Sequence, residues 1–305
     1  MHPLVDFAIA WDWEYDQEFV RLLETSAQAL GLRTYSISHH NCEETLRALQ
    51  LGRLDFSVVL DRTAETDERF APLSRLFTRR GVKFLNPPDA VRHAADKATM
   101  HLEFITAGVH VPYTIIVSPY NKKREIELSL SELARLGRPF IIKPANTTGG
   151  GTGVIIGAET LKDVIDSRQH HKNDKYLLQE HIQPLMLDGR KGWFRVFSVS
   201  GMVYPCWWDP DSHVYTALTG PEQRQWQLVE MNNVTRIIAS VAQLDFFSTE
   251  IAIPAHHRHI VVDYVNEVCD MRLQSSHADG VPDSVVKAIA QRLAWRARQL
   301  SRDVA

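Results

Sequence analysis

An apolar run that ends in a lysine and passes at once into a glycine-rich loop carries the most evident chemistry in this chain: Phe140-Ile-Ile-Lys143-Pro-Ala-Asn-Thr-Thr148-Gly149-Gly150-Gly151-Thr152-Gly153-Val154. Glycine fills four of the five positions 149–153. Backbone N–H groups there can approach an anion closely, and Thr148 and Thr152 add hydroxyl donors. No Gly-Lys-Ser/Thr opens a helix after the loop, so it is not a Walker-type loop. The glycine spacing is equally wrong for a dinucleotide fingerprint. Taken alone, the segment reads as well as a plain hairpin that leaves Lys143 solvated, because glycine-rich stretches are common punctuation.

Other residue types extend the pattern. Asp96-Lys97 stands at a helix start, where a lysine can reach phosphate with help from the positive end of the helix; an exposed first-turn lysine is the commoner case. Leu178-Gln179-Glu180-His181-Ile182 ends a strand in acceptors suited to an amino group, or simply ends a strand. Arg195 lies among Phe194, Val196 and Phe197, where an unpaired charge is expensive; it needs a phosphate, a carboxylate or a salt bridge. Glu250, Asp263 and Asn266 offer oxygen ligands to a hard cation such as Mg²⁺ from two strand-like segments, although acidic residues end strands routinely. Arg62 and Arg272 follow strands and are candidate anion anchors, or surface arginines. His39-His40-Asn41-Cys42 and the histidines at 256, 257 and 259 lack zinc-site spacing. Trp207-Trp208 can stack a ring or close a half-buried strand.

The elements that must position these residues fall into two styles. Val5–Ala10, Thr34–Ser38, Phe56–Leu60 and Lys83–Leu85 read as strands, alternating with helical stretches at Asp16–Leu30, Cys42–Leu51 and Ala71–Arg80. That alternation predicts an α/β lobe with a parallel, doubly wound sheet, ending near Pro87-Pro88. A helix over 97–107 follows, then strands at Tyr113–Val117, Phe140–Lys143, Val154–Gly157 and Tyr176–Gln179, with helices at Ser129–Gly137 and Thr160–Arg168. Strands at Phe194–Val199, Met202–Cys206, Thr249–Ile253 and His259–Asn266, one helix around Gln223–Ala242 and a closing helix over Ser284–Ser301 complete an α+β remainder.

The 305 residues suffice for two or three packed lobes, and 44% hydrophobic with 23% charged residues is globular composition. A net charge of −3 gives no reason to expect nucleic acid or an anionic membrane as partner. No apolar run reaches membrane-spanning length, and Cys42, Cys206 and Cys269 are too few and too dispersed for a disulfide framework, so a reducing cytoplasm is expected.

In order and spacing, these residues resemble the ATP-grasp superfamily over roughly Phe56 to Asp283. The run Gly81-Val-Lys-Phe-Leu-Asn86-Pro, then Asp96-Lys97, then Ala107-Gly108-Val-His-Val-Pro112, is similar to the entry to the ATP-grasp lobes of carboxylate–amine ligases. D-alanine–D-alanine ligase and the ribosomal-protein glutamate ligases are examples. The resemblance implies an N-terminal lobe at 1–88, a central lobe at 89–182 and a C-terminal lobe at 183–305. It implies ATP with Mg²⁺ or Mn²⁺, Lys97 and Lys143 on the phosphate and adenine side, and the loop Thr148–Gly153 over the phosphates. Gln179, Glu180 and Ile182 would hold the adenine edge, Glu250, Asp263 and Asn266 the metal, and Arg195 the γ-phosphate or acyl phosphate. Arg272, with Lys97 and Arg195, would serve the reacting groups.

One departure from the family pattern concerns the metal. The family places an acidic residue two positions before the asparagine; here Asp263 precedes Asn266 by three, and Tyr264 takes the acidic place. In a regular strand Asp263 and Asn266 would face opposite sides, unless a bulge realigns them. The implied activity is ligation of a small carboxylate, or a peptide, to an amine or thiol through an acyl phosphate. A hydroxyl kinase and a non-catalytic nucleotide-binding protein are the alternatives. A homodimer is a default, with no residue behind it.

Overall fold

The computed structural model describes residues 4–63, 67–147, 153–256 and 258–302. Strands β1 (Leu4–Ala10), β2 (Thr34–Ile37), β3 (Asp55–Asp61) and β4 (Lys83–Phe84) form a parallel sheet in the order β2-β1-β3-β4. Successive side chains of β1 point to opposite faces, and both faces are covered. Phe7 and Ile9 pack on α1 (Gln17–Ala29), which buries Phe19, Val20, Leu23 and Ala27 at helical spacing. Ala8 and Ala10 pack toward α2 (Cys42–Gln50) and α3 (Ala71–Arg80). Helix α4 (Pro88–Ala95) begins at the second proline of the pair that the sequence reads as a stop, because proline suits the first helical position.

Helix α5 (Lys97–Thr106) starts where the Asp96 carboxylate accepts hydrogen bonds from the backbone N–H groups of Ala98 and Thr99, which fixes Lys97 in its first turn. The second sheet is antiparallel: β5 (Thr114–Val117), β6 (Phe140–Pro144), β7 (Ile155–Ala158) and β8 (Tyr176–Glu180), in the order β5-β8-β6-β7, with α6 (Leu130–Leu136) and α7 (Leu161–Arg168) against it. After the short hairpin β9 (Met186–Leu187) and β10 (Arg190–Lys191) come β11 (Trp193–Val199), β12 (Met202–Trp208), β13 (Tyr215–Ala217), β14 (Phe246–Ala252) and β15 (Ile260–Asn266). These five form a third sheet, also antiparallel, in the order β13-β12-β11-β14-β15.

The single helix expected around 223–242 is two, α8 (Gly220–Gln225) and α9 (Glu230–Ala242), divided where Gln227 takes a left-handed φ of 52°. The closing helix α10 (Asp283–Arg302) does not stay with the third sheet alone. Its buried face (Val286, Ile289, Leu293, Ala297) joins the same core as Phe7, Ile9 and α1.

Polar ties then fix the first and third sheets to each other. The Asn86 side chain donates to the Phe246 carbonyl at 2.6 Å and accepts from its N–H at 2.9 Å. Arg62, expected as an anion anchor, is a strut: its guanidinium forks onto buried Asp16 at 2.7 and 2.8 Å and donates to the Cys269 carbonyl at 2.8 Å.

Candidate functional site

A cleft of 720 Å³ opens on the third sheet, with Lys97 and Asn146 among the residues that line it. Lys143 leaves β6 and its ammonium donates to the Val262 carbonyl of β15 at 2.9 Å, so one side chain spans the two sheets. Lys97 lines the cleft from the start of α5, and its ammonium makes no hydrogen bond or ion pair among the described residues. Its backbone N–H donates to the Ala145 carbonyl just past β6, which ties the start of α5 to the strand that carries Lys143.

Across from them, Glu250 on β14 and Asp263 on β15 are direct register partners, and Ser248 pairs with Asn266. One residue lies between the paired positions on β14 and two on β15, so a bulge absorbs the extra residue. Asp263 and Asn266 therefore both line the cleft. Thr249 lies inside the bulge and its hydroxyl donates to the Asp263 carbonyl at 2.8 Å. Tyr264, in the place where the family carries an acid, is buried on the far side. Its hydroxyl meets His101 Nδ1 at 2.5 Å and accepts from the Gln179 amide at 3.0 Å.

Arg195 projects from β11 between the buried Phe194 and Val196. It pairs with Glu250 at 2.7 Å and lies over the Trp208 ring at 5.1 Å. Trp193 donates its indole N–H to the other Glu250 oxygen at 3.1 Å. The carboxylates consequently differ. Burial pushes the Glu250 carboxyl up; Arg195 opposes the rise and Asp263 adds to it. Burial works the same way on Asp263, but Lys143, Lys97 and Arg195 outweigh it and hold that carboxyl below the usual range. Burial also lowers the Lys143 ammonium, against the pull of Asp263 and Glu250.

The remaining candidates are distributed as follows. Gln179 is buried, donating to Thr114 and Tyr264. The Glu180 carboxylate accepts from the Tyr113 N–H at 2.7 Å. Ile182 packs with Ala252, Ile260, Val262 and Trp193, an apolar patch directly beside the Lys143–Val262 contact. Thr148, Gly149, Gly150, Gly151 and Thr152 lie outside the described residues. Gly153, which leads into β7, has φ of 76°, and a Cβ there would stand 3.1 Å from Pro144 Cγ, so the chain returns through a position that glycine suits. Arg272 lines the cleft from the loop after β15, but its guanidinium is held by Asp270 at 2.7 Å and Asp279 at 2.9 Å.

Some cleft residues were not singled out from the sequence: Asn146, within the glycine-rich segment, and Ser248, Tyr215 and Trp13, which have no motif around them. Asn146 follows Lys143 by three residues and anchors on Asp174, and Ser248 precedes Glu250 by two, which was the available signal. Among the described residues, no group of three or more His, Cys, Asp or Glu side chains is arranged to hold a metal; of the three expected metal ligands, the cleft is lined by the carboxylates Glu250 and Asp263 and the amide Asn266. No described helix is long and apolar enough to cross a membrane.

No family model matches the chain, and no curated protein matches it in sequence. Solved structures do match. D-alanine–D-alanine ligase from Bacillus anthracis, complexed with ATP, is similar over 98% of this chain and 97% of its own, with a TM-score of 0.65 at 13% identity. A RimK domain ATP-grasp protein from Sphaerobacter thermophilus matches over 93% and 97%, with a TM-score of 0.62 at 19% identity. Macrocyclase MdnC from Microcystis aeruginosa, bound with precursor peptide MdnA, matches over 95% and 99%, with a TM-score of 0.61 at 14% identity. At such identities the likeness is one of fold, and the fold is that of the ATP-grasp ligases.

Proposed function

We propose that this chain is an ATP-dependent ligase that joins a carboxylate to an amine or thiol through an acyl phosphate, releasing ADP and phosphate. The observation that carries the reading is the bulge in β14–β15, which turns Asp263 and Asn266 to the same cleft as Glu250 and the Lys97 ammonium, which has no partner among the described residues. Oxygen ligands on one wall and lysines on the other fit a divalent cation bridging phosphate oxygens. Lys97 and Lys143 would hold the phosphates, while Glu250, Asp263 and the Asn266 amide would hold Mg²⁺. Glu180 and the patch around Ile182 would border the adenine. Bound Mg²⁺ would supply charge neutralisation at the phosphoryl oxygens.

The chain's own residues then work by position and field. A carboxylate oxygen of the substrate attacks the γ-phosphorus as the bond to the bridging oxygen breaks and ADP leaves. The amine lone pair next attacks the acyl carbon, phosphate departs and the amine loses a proton. Arg195 is placed to stabilise both charged states, because it is already oriented by Glu250 and Trp208 and needs little reorganisation. No side-chain nucleophile is required.

The test is product accounting with purified protein, Mg²⁺-ATP and mixed pools of carboxylates and amines. ADP with an equal amount of phosphate, formed only when both pools are present, is the predicted result. ADP without free phosphate would identify a kinase instead.

A further inference from the structure

The turn that leads into β8 carries Asp174 and Lys175, two charged residues with no part in the proposed chemistry. Lys175 is tied to the start of α5 in two ways. Its carbonyl accepts from the Ala145 N–H at 2.9 Å, and the Ala145 carbonyl accepts in turn from the Lys97 N–H at 3.1 Å. Its ammonium donates to Asp96 Oδ2 at 2.9 Å. The same oxygen accepts from the Thr99 hydroxyl, while Oδ1 accepts from the N–H groups of Ala98 and Thr99. A carboxylate has about four acceptor positions, and with Lys175 in place those of Asp96 are filled.

That filling bears on Lys97. Asp96 precedes it in the chain and, left open, offers its ammonium an ion pair. Occupied by Lys175 and the helix cap, Asp96 leaves the Lys97 ammonium to the cleft, where it has no partner among the described residues.

Asp174 acts at a second point. It is 8% exposed, and its carboxylate accepts from the Asn146 N–H and side-chain amide, both at 2.9 Å, and from the Thr147 N–H and hydroxyl at 3.2 and 2.9 Å. Four donors from two residues converge on one buried carboxylate and fix the chain where it leaves β6. Asn146 lines the same cleft as Lys97.

We infer that Lys175 and Asp174 are positioning residues for the phosphate end of the nucleotide: Lys175 keeps the Lys97 ammonium available by occupying Asp96, and Asp174 sets Asn146 against the cleft. The inference rests on the nucleotide reading of that cleft. The adenine end is set apart from both residues, because at about 3.3 Å per residue Glu180 lies roughly 16 Å from Lys175 along β8. A partly exposed ion pair adds little to folding stability, so loss of the Lys175–Asp96 pair is read in the ligand rather than in the fold.

The experiment measures Mg²⁺-ATP by calorimetry, and adenosine by competition with it, on wild type, Lys175→Met, Lys175→Arg and Asp174→Asn. Lys175→Met should weaken ATP by about tenfold, the scale expected when a group that orients a ligand-holding residue is lost, and change adenosine by less than about twofold. Lys175→Arg, which can still fill Asp96, should restore most of the affinity. Asp174→Asn, with one acceptor oxygen in place of two, should weaken ATP several-fold and again spare adenosine. Lys175→Met alters a partly exposed side chain and decides the matter even where Asp174→Asn fails to fold. Unchanged ATP affinity in Lys175→Met, equal losses for ATP and adenosine, or no rescue by arginine each overturns the inference while nucleotide binding stands. Absence of ATP binding to the wild type overturns the nucleotide reading itself, and the inference with it.

Discussion

Glu250 and Asp263 face each other across β14 and β15, although the spacing of Asp263 from Asn266 by itself places those two residues on opposite faces. A one-residue bulge resolves the conflict, and it sends Tyr264 into the core. Each side of that arrangement has a measurable consequence.

Replacing Tyr264 by Glu restores the acidic type usual in the family but buries a carboxylate against Phe104 and His101. The Tyr264→Glu protein should be strongly destabilised and gain no Mg²⁺ affinity. Asp263→Asn should fold normally and weaken Mg²⁺-ATP by about tenfold or more. Urea unfolding and ATP titration of both variants check this; tighter Mg²⁺-ATP binding by a folded Tyr264→Glu protein would contradict the register.

Tyr264→Phe removes only the hydroxyl shared by His101 and Gln179. Two buried polar groups lose a partner, so a loss of about 1–3 kcal/mol is expected from denaturant midpoints. An unchanged midpoint would show that the triad contributes nothing.

Arg195→Ala leaves Glu250 buried without its cation, which costs about 3–5 kcal/mol where a buried pair is broken from one side. Arg195→Ala combined with Glu250→Gln should recover part of that loss. Simple additivity of the two substitutions would argue against the pair.

Burial lowers the His101 pKa to about 4 from an ordinary 6.5. The folded imidazole stays neutral while the unfolded one charges, so the unfolded chain binds more protons between these values. Stability is unaffected above about pH 6.5 and falls as pH drops toward 4, by an amount on the order of 3 kcal/mol. His101→Asn, which can still meet the Tyr264 hydroxyl, should flatten that acid limb. A limb of unchanged slope would assign the loss to other groups.

Much of this was legible in residue types. Lys97, Lys143, Glu250 and Asp263 stood out as candidates because charges in apolar strands and at a capped helix start need partners, and Asn266 because it follows Asp263 closely. The bulge was not, since an extra residue in a strand leaves no mark on composition. Asp188-Gly189, with φ of 50° and 76°, is a two-residue hairpin turn whose Asp-Gly signal could have revealed β9 and β10. Pro88 was read only as a breaker although it opens α4. Arg62 and Arg272 looked alike in sequence; only the fold shows one locked on Asp16 and the other between two aspartates.

Whether Mg²⁺-ATP binds beside Lys143 is read from the melting temperature of wild type and Lys143→Ala with and without Mg²⁺-ATP. A clear upward shift is expected in the wild type, dependent on Mg²⁺ and absent from the variant. An equal shift in both proteins, or none in the wild type, would contradict it.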